Sequence, residues 1–244
     1  MLRFFRSLLA LNFLFVLAAG ASAQLGDDIA RRHAERAGPR LQQLQALRGE
    51  GKTFIGRDVV PFEFIQVRPN KLRVESYAPL RRVVQAYDGV NPPWVSHSEV
   101  KAGVPQTMPP ADAKEFLENA DFDGPLVNYA EKGYSVDYAG EEKVEGRDAY
   151  KLLLMGKNES ILFVWIDTKT FELVKRTVFK VSKGKRVTLD TLFKDFRPVG
   201  GVMQPHRVES LADGQLVYVM VLDKLEANPR NIPPETFTRP EPRP

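Results

Sequence analysis

The stretch Phe64-Ile65-Gln66-Val67-Arg68-Pro69-Asn70-Lys71-Leu72-Arg73-Val74-Glu75 decides how the rest of the chain is read. Val59–Val67 sets Phe62 and Phe64 on one side of a strand, and Lys71–Tyr77 alternates again. Pro69-Asn70 between them is a turn pair, because proline presets its own φ and asparagine tolerates turn backbone. Outward from this hairpin the pattern repeats. Glu50–Ile55 precedes it. Arg82–Tyr87 follows after Ala78-Pro79, and the chain turns at Asp88-Gly89 before Trp94–His97. Further runs of the same kind, including Ser160–Asp167, Leu173–Val181 and Leu216–Leu225, occupy the region from Tyr134 onward. Hairpin-length connections imply an antiparallel meander of ten or eleven strands, and the lack of strand–helix alternation argues against a parallel nucleotide-binding sheet.

Two segments depart from the strand period. Asp27–Leu47 repeats Ala30, Ala34, Ala37, Leu41 and Leu44 at helical steps, interrupted by Gly38-Pro39, where a kink or a second helix start is expected. Pro110–Ala120 places Ala113, Phe116, Leu117 and Ala120 on one face, with Pro110 at the start and Asp112 and Glu115 where the helix dipole favours acids. The fold class is therefore mainly β with a minor helical part.

The strands carry more apolar surface than a one-sided sheet needs. Ser160–Asp167 sets Ile161, Phe163 and Trp165 against Leu162, Val164 and Ile166; Leu216–Leu225 is apolar on both faces as well. Either the sheet is covered twice, as in a packed barrel core, or it curls around an apolar ligand cavity.

Export is written at the N-terminus. Arg3 and Arg6 precede the apolar run Leu8–Gly20, and Ala21-Ser22-Ala23 is a cleavage site, so residues 1–23 read as a secretory signal peptide cut after Ala23. Thirteen apolar residues are too few for a membrane span, which takes about 20. Residues 24–244 then form a single domain with 33 basic and 31 acidic residues, a balance unlike a nucleic-acid-binding surface. The local basic clusters Lys71/Arg73/Arg81/Arg82 and Lys183/Lys185/Arg186 fit solvated strand and turn positions. With no cysteine and three histidines, thiol catalysis, disulfides and cysteine-based zinc sites are excluded.

The quoted hairpin, followed by Tyr87-Asp-Gly89 and Trp94, resembles the LolA-type periplasmic lipoprotein carriers. Pro233-Pro-Glu-Thr-Phe-Thr-Arg-Pro240 is similar to that family's closing Phe-Thr-x-Pro segment, and the order of helices agrees. The resemblance implies a half-open antiparallel β-barrel with a helical lid over an apolar cavity for lipoprotein acyl chains. It also implies a monomer working in the periplasm between an inner-membrane transporter as donor and an outer-membrane acceptor, with no cofactor. Arg68 matches the arginine whose hydrogen bonds to lid-loop backbone hold the empty carrier closed; as a residue it reads equally as a solvated strand-end charge. The cavity wall on this reading comprises Phe62, Phe64, Leu72, Val74, Phe163 and Trp165 with lid residues Phe116 and Leu117. One register step would exchange inside for outside. Pro92-Pro93 before Trp94 and the charged stretch Glu141–Arg147 depart from the carrier pattern and leave the cargo open.

Enzyme readings lack a motif. His33 is placed on the polar side of the first helix, while His97 and His206 lie at strand ends, none with an acid or hydroxyl at motif spacing. Asp121/Asp123 and Glu141/Glu142 read as solvated turn acids, and Asn158-Glu-Ser160 as a hairpin turn. The rival non-enzymatic reading is a periplasmic sensor of the MucB/RseB type. Those proteins carry a second C-terminal domain, whereas the chain here stops soon after Phe237.

Overall fold

The structure, a computed structural model, describes residues 22–99, 103–156, 160–182 and 184–241. The signal-peptide expectation therefore falls almost wholly outside the described residues, as do Asn158 and Lys183.

Helix α1 covers residues 22–35, and α2 spans Pro39–Gln43 with Pro39 in its first turn. Strands β1 (Ala46–Ile55), β2 (Asp58–Val67), β3 (Lys71–Ala78), β4 (Arg81–Tyr87), β5 (Trp94–His97) and β6 (Gln106–Thr107) lead into α3 (Pro110–Ala120). Then come β7 (Tyr134–Val144), β8 (Arg147–Gly156), β9 (Ile161–Asp167) and β10 (Leu173–Ser182). The chain finishes with β11 (Lys185–Val199), β12 (Val202–Ala212), β13 (Gln215–Ala227) and a 3-10 turn at Pro234–Thr236.

The strands hydrogen-bond in the order β6-β5-β4-β3-β2-β1-β13-β12-β11-β10-β9-β8-β7, one open sheet of 13 strands in which consecutive strands pair and β1 joins β13. The count exceeds the expected ten or eleven; a two-residue strand such as β6 is too short to show alternation. The helix over Pro110–Ala120 forms with the expected bounds. The first helical segment does not reach Leu47: α2 stops at Gln43, and Ala46 and Leu47 already pair with Val67 and Gln66 of β2. Helical spacing through Leu44 cannot reveal that a strand partner captures the next two residues.

By contacts the chain forms two compact units. The first comprises the described part of Met1–Arg36 with Leu126–Thr188, the second Ala37–Pro125 with Leu189–Pro244. In the first, α1 lays Ile29 and Ala30 onto Val136, Leu152, Leu154, Leu162, Val164 and Ile166, and Leu126 closes the cluster. Leu152, Leu154, Val164 and Ile166 have no exposed surface. His33 is not on a polar side but buried in this unit, its Nδ1 2.7 Å from the Phe171 carbonyl oxygen. Arg36 pairs beside it with buried Glu172 at 3.1 Å. Burial and the neighbouring Arg36 charge depress the His33 pKa to about 3 despite that hydrogen bond, so the ring is neutral at ordinary pH. Burial raises the Glu172 carboxyl above its usual range, and the Arg36 pairing only partly offsets this.

Candidate functional site

The second unit holds most of the residues singled out above. Phe64 of β2 sits opposite Val74 of β3, and Gln66 opposite Leu72. Paired residues in an antiparallel ladder point to the same face, so Phe62, Phe64, Leu72 and Val74 share one sheet surface. On the other side of β2, Phe62 and Phe64 face Gly51 and Gly49 of β1. The Phe64 ring lies where a Cβ on Gly49 would stand; one on Gly51 would collide with the Val221 carbonyl oxygen. The two glycines thus make room for aromatic rings from the neighbouring strand.

Helix α3 covers part of this surface. Leu72, Met108, Phe116 and Ala120 form a buried cluster, with Phe64, Val74, Tyr87, Val95 and Ala113 packed against it. Phe62 is buried farther along the strand, and the face continues through Leu222 opposite Gly51, Met220 opposite Thr53, and Val208 opposite Met220, all half-buried. Leu117 is turned away from the cluster and is 37% exposed. It follows Phe116 by one helical step of about 100°, enough to leave the contact.

Polar contacts hold α3 and α2 in place. Gln66 Nε2 donates to the carbonyls of Asn119 and Ala120 at 3.2 and 3.3 Å, and the Phe122 amide donates to the Pro69 carbonyl at 3.0 Å. Arg68 does most of the joining. Its Nε donates to the Leu44 carbonyl and one Nη to the Leu41 carbonyl, both at 2.7 Å, while the other Nη pairs with Asp123. The guanidinium also lies 4.6 Å from the Phe122 ring centroid. The carbonyls near the end of a helix have no partner within it, and those are what Arg68 finds at α2. Its side chain is 18% exposed and that of Asp123 17%, so this is not a solvated strand-end charge. Asp123, read above as a solvated turn acid, is its counter-ion; the signal was only an acid one turn beyond a helix.

The opposite face of β3–β5 receives the C-terminal tail. Trp94 Nε1 donates to the Phe237 carbonyl and an Arg73 Nη to that of Thr236, each at 3.0 Å, with Phe237 buried. Glu75, buried beside them, accepts from both Arg73 and Arg82. Burial pushes its carboxyl up, and the hydrogen bonds from the two arginines more than reverse that, leaving it below the usual range. The basic cluster of this strand pair is thus partly internal.

Phe163 and Trp165 belong to the first unit, and Phe62, Phe64, Leu72, Val74, Phe116 and Leu117 to the second. Phe163 and Trp165 lie on the face of β9 opposite Leu162, Val164 and Ile166, which α1 covers. Trp165 Nε1 donates to Glu142, and Lys151 bonds the same carboxylate at 2.6 Å. Among the described residues no group of three or more acids and histidines could hold a metal ion, and no helix is long and apolar enough to cross a membrane.

No protein-family model matches this chain, and no curated relative matches it in sequence. Solved structures do. An outer membrane lipoprotein-sorting protein domain from Vibrio parahaemolyticus superposes with a TM-score of 0.62 at 11% identity, covering 88% of this chain and 97% of that one. A DUF1329 family protein from Desulfovibrio piger gives 0.62 at 14% identity over 88% and 97%. A LolA superfamily protein from Nitrosomonas europaea gives 0.56 at 16% identity over 86% and 97%. The open antiparallel sheet with its helices is therefore the fold of the LolA-like lipoprotein-sorting structures.

Proposed function

We propose that this protein is a periplasmic, non-enzymatic carrier that takes lipoprotein acyl chains or another lipid onto the apolar sheet face partly covered by α3. The supporting observation is the position of Arg68. One side chain ties the end of α2 and, through Asp123, the loop after α3, so a ligand that displaces α3 must break the Arg68–Asp123 pair.

The energetics suit a shuttle. Burying an acyl chain of about 15 methylenes at roughly 0.8 kcal/mol each yields on the order of 12 kcal/mol, a nanomolar affinity. Breaking hydrogen bonds to a charged group costs about 1.5–3 kcal/mol each, so an arginine clasp lowers net affinity into a range from which cargo can leave. Phe62, Phe64, Leu72, Val74 and Phe116 would line the ligand, with Leu117 at its margin.

Native mass spectrometry of protein purified from the periplasm, followed by organic extraction, tests the proposal. Bound lipid or acylated peptide, changed in amount in Arg68→Leu, is the expected result. An apo mass together with no uptake of a fluorescent fatty acid would overturn it and favour a sensor that binds protein partners.

A further inference from the structure

The face of β7–β10 opposite the α1-covered core has its own order along the strands. At one end, Met155 of β8 pairs with Ile161 of β9, and Val181 lies near the end of β10; they are 40%, 44% and 78% exposed. The next row inward holds Leu153 opposite Phe163, with Thr177 on the other side of Phe163. Phe163 meets Phe179 edge-on with ring centroids 6.2 Å apart. One row farther in, Trp165 stands between Lys151 and Lys175. The Lys151 ammonium is 5.1 Å from the Phe163 ring and 5.2 Å from Trp165, Lys175 is 4.5 Å from Trp165, and Arg186 lies 4.1 Å over Phe179.

We infer that this end of the sheet docks on the surface of an anionic lipid bilayer, with Met155, Ile161 and Val181 entering the acyl boundary and Lys151, Lys175 and Arg186 meeting lipid phosphates. The sequence from exposed aliphatic to aromatic to cationic side chains follows depth across a membrane interface, where aromatic rings favour the headgroup level and basic chains reach the phosphates. Strand rise gives the scale. Trp165 lies four residues from Ile161, about 13 Å along the strand. If the aliphatic end enters by about 5–10 Å, as interfacial elements do, the lysine row remains in the headgroup region. A protein partner would not require this axial order. The acids on the face include Asp137, opposite Leu153, Glu142, which bonds Lys151 and Trp165, and buried Asp167 at the far end of β9, which faces Arg147; Lys151, Lys175 and Arg186 together supply the attraction. α1 and the chain around Leu126 and Tyr129 pack on the other face.

Vesicle flotation of the full exported protein provides the test, using phosphatidylethanolamine–phosphatidylglycerol vesicles against phosphatidylcholine vesicles. Preferential binding to the anionic vesicles is expected, weakened by salt. Ile161→Ser/Val181→Ser, both on exposed positions, should lose at least about tenfold in partition with unchanged circular dichroism. Lys175→Glu should lose about fivefold or more on anionic vesicles and little on neutral ones. Equal partition of the variants and the parent, no binding to either vesicle, or capture of an acidic protein without vesicle binding would overturn the inference. Lipid carried in the soluble fraction reports on the Arg68 site instead, so the two proposals fail separately.

Discussion

Two helices in this protein each cover a sheet face, and they are held in opposite ways. α1 buries Ile29 and Ala30 in a cluster where Leu152, Leu154, Val164 and Ile166 have lost all contact with water. α3 buries only Phe116 and Ala120 of its own residues, against Leu72 and Met108, while Phe64 and Val74 stay half-exposed. What α3 lacks in apolar contact is supplied by Gln66, Arg68 and Asp123. Close packing cannot be undone without exposing the whole cluster. Hydrogen bonds at a helix margin can be exchanged for water one at a time, at modest net cost. The same motif thus meets a fully buried core in one unit and a partly buried, hydrogen-bonded face in the other.

Substitutions that separate the two attachments should differ in size and kind. Leu154→Ala in the first unit removes a side chain with no exposed surface and should cost about 3–4 kcal/mol in urea unfolding. A loss below about 1 kcal/mol would mean that the α1 core is no tighter than the α3 cover.

Acid should act on the α1 side. His33 has a folded pKa of about 3 against an ordinary 6.5, so the unfolded chain binds the extra proton first. Its contribution is fully present above about pH 6.5 and falls as pH drops toward 3, by about 3 kcal/mol at pH 4. Glu172, with its raised carboxyl pKa, opposes part of this as it takes up its proton. Stability of His33→Leu measured from pH 7 to 4 should fall less steeply than that of the parent; identical slopes would remove His33 from the account.

In the second unit, Gly51→Ala should cost about 2 kcal/mol, because its Cβ meets the backbone carbonyl of Val221 and one strand must shift. The smallest effect is expected at the clasp. Asp123→Asn keeps the shape but removes the charge facing Arg68, and should cost about 1 kcal/mol. That loss should be local, raising hydrogen exchange in α3 about fivefold while leaving α1 unchanged. Equal acceleration in both helices would erase the contrast between them.

How far each region could be read from sequence follows the same division. β2 and β3 alternate with one clear apolar face, so their period alone puts Phe62, Phe64, Leu72 and Val74 on one side, and α3 is legible from its start at Pro110 to Ala120. β9 is apolar on both faces. Its period cannot say which side the helix takes, and α1 took Leu162, Val164 and Ile166 rather than Phe163 and Trp165. The tail motif around Phe237 and the strand bearing Trp94 are each legible in the sequence, while the hydrogen bond that joins them spans 143 residues.

The sequence by itself determined an antiparallel meander of short strands, the helix over Pro110–Ala120 and the shared face of the Arg-Pro-Asn hairpin. Those depend on periods of two and 3.6 residues and on turn chemistry, all of which act over a few neighbours. Only the tertiary structure decided that Arg68 binds Leu41, Leu44 and Asp123, that His33 is buried against Phe171, and which face of β9 is core. These contacts join residues distant in the chain, and a side chain's own neighbours carry no record of what folds back against it.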